Sequence, residues 1–370
     1  MSEVNTGGRP VTLLMMSTGS LVVTSVLESI DAMGRDGFEL IGLNTEAGVV
    51  NNFRMDVCYL SPPAREQAAL LALLDELVTR HDPDLIIPGR DDDVVALAHW
   101  AQGKPQSRAL VGCVEMAEVI RDKWTSYQWA MNKGLPFARS AISASGVQEL
   151  IADIGFPLVA KPRDGFGSNG VRMLLNDAHV DAVLALGNQV IQEPVSPAPM
   201  LTPEAIKSGM PLWFAPVQRG SSCVLCLLGD EGFEFLAAWI SNGIRGAAFE
   251  TTLLDDPALT QLALRYAEAA WTDGWRGLLN FQARPDAEGN YVPIELAGRF
   301  MGGTNAVHRL GMPLVAMVLQ HFVPAFHSQT PVAPLYGARA VKQVTTHLIY
   351  PEQEASLRET GVWKSVTTQG

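Results

Sequence analysis

Between Val159 and Val171 an apolar run leads into Lys161 and then into a glycine-rich stretch, Gly165-Phe-Gly167-Ser168-Asn169-Gly170. The order is suited to phosphate. Glycines let the backbone take conformations closed to residues with a Cβ, so that successive N–H groups can converge on phosphate oxygens, while the lysine adds a point charge. No Gly-Lys-Ser/Thr follows the glycines, and the lysine precedes them, so the stretch is neither a Walker loop nor a GxGxxG fingerprint. A plain hairpin turn is the structural alternative.

A second constellation lies downstream. Asn280-Phe-Gln282 reads as strand, Asp286-Ala-Glu-Gly-Asn290 as turn, and Tyr291-Val-Pro-Ile-Glu295-Leu-Ala297 as the returning strand. In such a hairpin Gln282 and Glu295 fall near each other, where two oxygen-bearing side chains can share a hard cation. Glu295 sits between Ile294 and Leu296, so burying it calls for a partner, either a metal ion or Arg299. Arg299, beyond the second strand, can aim a fork of donors at the same place.

A phosphate loop with its lysine, followed by an oxygen-ligand hairpin with a trailing arginine, resembles the ATP-grasp superfamily, in its carboxylate-amine ligase and carbamoyl-phosphate-synthetase-like branch. The resemblance covers about residues 10–325. It implies that Lys123, in Arg121-Asp-Lys123, and Lys161 neutralise the α and β phosphates of ATP. It further implies that Asp164, Gly165, Gly167, Ser168, Asn169 and Gly170 close over the nucleotide, and that Gln192, Glu193 and Val195 form the hinge against which adenine lies, with Glu193 meeting the base. Gln282 and Glu295 would bind Mg²⁺, with Mn²⁺ as a substitute. Arg299, with Arg245 as a second candidate, would hold the transferring phosphoryl group. Two features depart from the pattern. Ala297 stands where the commonest form carries an asparagine metal ligand, which puts a second ion in doubt, and the proline-rich stretch from Ser196 to Pro216 leaves the ribose contact unplaced.

These residues need a scaffold, and alternating patterns supply one. Val11–Met16 and Glu39–Leu43 read as strands with a helix over Leu21–Met33 between them; Arg65–Arg80 and Asp92–Gln102 read as helices around a short strand at Leu85–Pro88. The fold class expected is α/β and α+β: a Rossmann-like parallel sheet over residues 1–115, then a two-lobed ATP-grasp domain. Residues 116–189 would form a small lobe with both lysines, 190–330 a large lobe with the metal hairpin, and 331–370 a closing segment with a strand over Val344–Tyr350. The acidic triplet Asp91-Asp-Asp93 begins a helix, where free N–H groups favour carboxylates; a contact to a substrate amine is the functional alternative.

Composition excludes some function classes. The 370 residues are 47% hydrophobic and 18% charged with a net charge of −12, against nucleic acid as main partner. The apolar run after Arg9 is interrupted by Ser17-Thr-Gly-Ser20 and lacks a cleavage site, so no signal peptide or membrane span is expected. Four cysteines point to a reducing, cytoplasmic setting; Cys223 and Cys226 read as a buried strand, since no second Cys or His pair lies at zinc spacing. His308 reads as structural.

The expected activity is ATP-dependent joining of a small-molecule carboxylate to an amine, amino acids among the candidates, through an acyl phosphate with release of ADP and phosphate. ATP-dependent carboxylation, carbamoyl-phosphate-like chemistry and nucleotide binding without turnover are the alternatives, and a homodimer is expected from the resemblance.

Overall fold

A computed structural model describes residues 4–5, 9–104, 108–165, 167, 169–196, 220–244, 247–328, 330–343 and 346–365. Arg245 and Ser168 lie outside the described residues, as do 197–219 of the proline-rich stretch.

The chain opens with β1 (Val4–Asn5), β2 (Val11–Met15), α1 (Leu21–Met33), β3 (Phe38–Asn44), β4 (Val57–Leu60), α2 (Gln67–His81), β5 (Leu85–Ile87) and α3 (Asp91–Ala101). β2 pairs in parallel with β3 and with β5, and β3 in parallel with β4. Every residue of β2 and β5 is buried, as expected of parallel strands covered by helices on both faces. α1 begins where Ser20 Oγ accepts from the Val23 amide at 3.1 Å, which ends the preceding loop and starts the turn.

Next come α4 (Val114–Arg121), α5 (Lys123–Asn132), β6 (Ser140–Ala141), α6 (Ala144–Ile154), β7 (Leu158–Pro162), β8 (Arg172–Leu174), α7 (Asp177–Leu184) and β9 (Gln189–Gln192). They build a four-stranded sheet in the order β6-β9-β7-β8. The hinge strand thus belongs to the small-lobe sheet, so the expected boundary after residue 189 falls inside an element.

The rest comprises β10 (Gly220–Leu228), β11 (Phe233–Ile244), β12 (Ala247–Leu254), α8 (Pro257–Thr272), β13 (Gly277–Pro285), β14 (Tyr291–Ala297), α9 (Thr304–Arg309), α10 (Leu314–Phe322), β15 (His327–Ser328), β16 (Ala340–Val341), α11 (Pro351–Thr360) and β17 (Val362–Lys364). Six of these strands form an antiparallel sheet in the order β14-β13-β10-β11-β12-β16, and α8 packs on β10 and β11. Cys223 and Cys226 are buried in β10, where burial pushes both thiols up to about 12.

The tail differs from the expectation of a separate closing unit with a strand over Val344–Tyr350. Residues 346–350 carry no strand, β16 extends the large sheet, and β17 returns to pair antiparallel with β4 of the first sheet. Its anchor is Leu357, fully buried on an otherwise polar helix. No helix among the described residues is long and apolar enough to cross a membrane.

Candidate active site

Lys161 sits on β7, an inner strand, opposite Val190 of β9. Its ammonium donates to Gln192 Oε1 at 2.7 Å, and the buried Gln192 amide is held in turn by Ser140 Oγ at 3.1 Å. Burial lowers the Lys161 pKa to about 8; Glu295 opposes the drop, while Lys123 and Arg284 add to it. A lysine so placed is close to surrendering its proton, and an anion arriving beside it would restore the charge.

Lys123 is the first residue of α5. Asp122 caps that helix by accepting from the Trp124 amide at 2.8 Å and also binds Arg163, fixing the helix start to the end of β7. The Lys123 ammonium donates to the Gly165 carbonyl at 2.7 Å and lies 3.3 Å from Glu295 Oε1. One buried lysine therefore ties the glycine loop to the hairpin, 8% of its side chain exposed against 25% for Glu295.

The loop itself is held at its base only. The Gly165 amide donates to the Pro162 carbonyl at 3.2 Å, and Asp164 Oδ1 accepts from the Asn188 amide at 2.8 Å. Beyond that point Gly167 and Gly170 take φ of +60° and +75°, and none of the described residues accepts from the amides of Gly167, Asn169 or Gly170. Those donors are available to a ligand.

Across the cleft, β13 and β14 pair with Gln282 opposite Glu295 and Asn280 opposite Ala297. Asp286 shapes the turn by accepting from the Glu288 and Asn290 amides at 3.0 and 2.8 Å. Tyr291 anchors the returning strand through a 2.7 Å bond to Asp256, the N-cap of α8. Gln282 and Glu295 are both partly exposed, and no described residue hydrogen-bonds the Gln282 side chain. No group of three or more His, Cys, Asp or Glu side chains among the described residues could hold a metal. One carboxylate and one amide oxygen suit Mg²⁺, which keeps waters and takes substrate phosphate oxygens besides a few protein ligands. Ala297 offers no oxygen for a second ion.

Arg299 does not stand free. Its Nη2 lies 2.7 Å from Asp91 Oδ2 and its Nη1 donates to the Phe300 carbonyl at 3.1 Å. The close approach is possible because residue 298 is glycine: a Cβ there would stand 2.6 Å from the Trp275 indole and 3.3 Å from Val94 of α3. Burial works against the charge of Arg299, yet Asp91, Glu295 and Asp93 hold its pKa above the ordinary value.

The acidic triplet divides its labour. Asp93 caps α3, accepting from the Gly89 and Arg90 amides and from Ser17 Oγ, and burial raises its pKa to about 6. Asp91 takes Arg299. Asp92 takes Arg121, whose Nε stands 2.7 Å away and whose Nη1 donates to the Asp164 carbonyl at the loop base. The capping expectation fits Asp93; the other two tie α3 to Arg299 and Arg121, contacts that sequence reading missed because the partners lie outside the helix.

The hinge also differs from expectation. Glu193 spends its carboxylate on Arg139, accepting from the backbone amide and from Nε, both at 2.8 Å. Its carboxylate thereby braces the end of β9 on the segment before β6. Sequence reading also passed over Arg284, which lies two residues beyond Gln282 on β13.

No family model and no curated protein sequence matches this chain. Solved structures do. They include the N5-carboxyaminoimidazole synthetase of Staphylococcus aureus complexed with ADP, at TM-score 0.64 and 11% identity over 86% of this chain and 79% of that one. The L-amino acid ligase of Bacillus licheniformis gives 0.59 and 14% over 85% and 74%. A biotin carboxylase of Campylobacter jejuni complexed with a β,γ ATP compound gives 0.56 and 16% over 84% and 71%. With two lysines beneath a glycine loop and a Gln–Glu hairpin facing them, this chain has the ATP-grasp fold.

Proposed function

We propose that the protein is an ATP-dependent ligase that activates a carboxylate as an acyl phosphate and passes it to an amine. The observation that carries this reading is the contact set of Lys123, whose ammonium reaches both the Gly165 carbonyl of the loop and the Glu295 carboxylate of the hairpin. Phosphate and metal groups so joined address one polyphosphate, because phosphoryl transfer needs positioned charge more than a protein nucleophile.

In this reading Lys123 and Lys161 hold the α and β phosphates, and the loop amides from Gly167 to Gly170 turn onto the distal phosphates and shut out water. Gln282 and Glu295 would hold Mg²⁺, which when bound neutralises charge developing on the β and γ oxygens. Arg299 lies on the far side of the hairpin from the hinge, at the end where an acceptor would stand. A substrate carboxylate oxygen attacks the γ phosphorus while the bond to the bridging oxygen breaks and ADP departs. The amine nitrogen then attacks the acyl carbon, phosphate leaves, and the amine gives up a proton.

The likeness to an amino acid ligase and to carboxylating enzymes leaves bicarbonate as a second carboxylate to try. ADP release is to be measured with amino acids singly and in pairs, and with bicarbonate plus amines, with products weighed by mass spectrometry. Substrate-dependent ADP release supports the reading; ATP binding without ADP release across the panel would favour a binding module.

A further inference from the structure

β13 places Asn280, Gln282 and Arg284 on one face, while Phe281 and Ala283, both fully buried, point into the core. Along that face the order is informative. Asn280 bonds the Arg299 carbonyl at the acceptor end, Gln282 stands opposite Glu295, and Arg284 comes next, roughly 7 Å beyond Gln282 at the strand's ordinary rise. On the small-lobe sheet, Lys161 meets Gln192 of β9.

Arg284 is only partly exposed, and among the described residues no carboxylate pairs with it and no acceptor takes any of its guanidinium N–H groups. Its charge acts on Lys161, as does that of Glu295. Lys123 and Lys161 share Glu295, while Arg284 has no carboxylate of its own among the described residues, in a chain whose net charge is −12. A half-buried cation set beside a lysine without a counter-charge costs stability unless an anion arrives to compensate it. Proteins keep such arrangements where a ligand supplies the missing charge.

We propose that Arg284 is a nucleotide-binding residue, contacting the α phosphate from the hairpin side while Lys161 approaches from the small-lobe sheet. The inference rests on the nucleotide reading of the cleft. Its geometry makes the contact independent of the metal, because Arg284 lies beyond the Gln282–Glu295 pair on the side away from Arg299. A guanidinium presents a fork of donors that an ammonium lacks, so charge and hydrogen bonding both contribute.

Calorimetric titration of the full chain with ADP and with AMP, without divalent metal, tests this in wild type, Arg284→Leu and Arg284→Lys. The leucine variant is expected to bind both nucleotides roughly tenfold or more weakly, by the same factor, since both carry the α phosphate; lysine should recover most of the loss. Unchanged affinity for both nucleotides overturns the proposal. A loss for ADP alone moves the contact to the β phosphate and overturns it as well. A loss that extends by the same factor to adenosine places the contact on the nucleoside and overturns it too. Should the leucine variant unfold, Arg284→Gln removes the charge and keeps a polar side chain, with the same outcomes read. A wild type that binds no ADP removes the nucleotide reading itself, a failure distinct from a wild type that binds and a variant that is unaffected.

Discussion

Asp91 and Arg299, 208 positions apart, form an ion pair of 2.7 Å in which both side chains are nearly buried, 10% and 14% exposed. Asp91 Oδ1 and Arg299 Nε are also buried and have no hydrogen-bond partner among the described residues. The start of α3 and the residue that follows β14 are therefore held by one ion pair, with one further donor and acceptor in reserve.

Removing one partner of such a pair leaves an uncompensated charge, whereas removing both does not. Asp91→Leu is expected to lower unfolding free energy by about 3 kcal/mol, and Asp91→Leu with Arg299→Met together by less than the sum of those two singles. Urea unfolding of the four proteins checks this. Additive losses would mean that the two side chains act independently.

Lys161 sets a pH dependence. Its pKa in the folded protein, about 8, lies below the ordinary lysine value of 10.5, so the folded state binds fewer protons than the unfolded chain between those limits. The burden on stability is full below about pH 8 and is relieved as pH rises toward 10.5. Nucleotide affinity runs the other way, because only the charged lysine attracts phosphate. ADP binding is expected to weaken above pH 8 by up to about tenfold per pH unit and to take up protons, measurable by calorimetry in buffers of different ionisation enthalpy. Lys161→Met should bind ADP weakly with no such slope; a slope that survives the substitution assigns the proton elsewhere.

Gly167 has φ +60° and no atom within 4 Å of the position a Cβ would take. Gly167→Val therefore meets no clash, and its cost is conformational, about 1–2 kcal/mol. Loop closure over a nucleotide should suffer more than the fold. Expected are a melting temperature within a few degrees of wild type and ATP turnover reduced by more than tenfold; equal turnover would leave the stretch a simple turn.

Glu295 serves two partners in this reading, the metal and Lys123. Glu295→Gln is expected to cut ADP formation by several orders of magnitude, since charge stabilisation carries phosphoryl transfer. Metal-free ADP affinity should hold or improve, because Lys123 loses its one carboxylate partner among the described residues and turns to phosphate. A variant with near-normal ADP formation ends the metal assignment. Ala297→Asn, opposite Asn280, adds an oxygen beside the pair and should steepen the dependence of rate on Mg²⁺ concentration.

What the sequence determined by itself is local. Turn residues marked the hairpin at Asp286–Asn290, though a bulge beside Gln282, not the turn, brings it opposite Glu295; apolar periodicity marked α1 over Leu21–Met33 and the parallel strands; glycine spacing marked the loop after Lys161. Each rests on conformational preferences acting within a few residues. Tertiary structure decided the rest. Nothing near Arg299 in sequence announces Asp91, nothing near Glu193 announces that Arg139 will claim its carboxylate, and β17 finds β4 only after the whole chain has folded between them. Ion pairs and edge strands choose partners by proximity in space, and in a charged group's search for compensation the nearest opposite charge is set by packing, not by position along the chain.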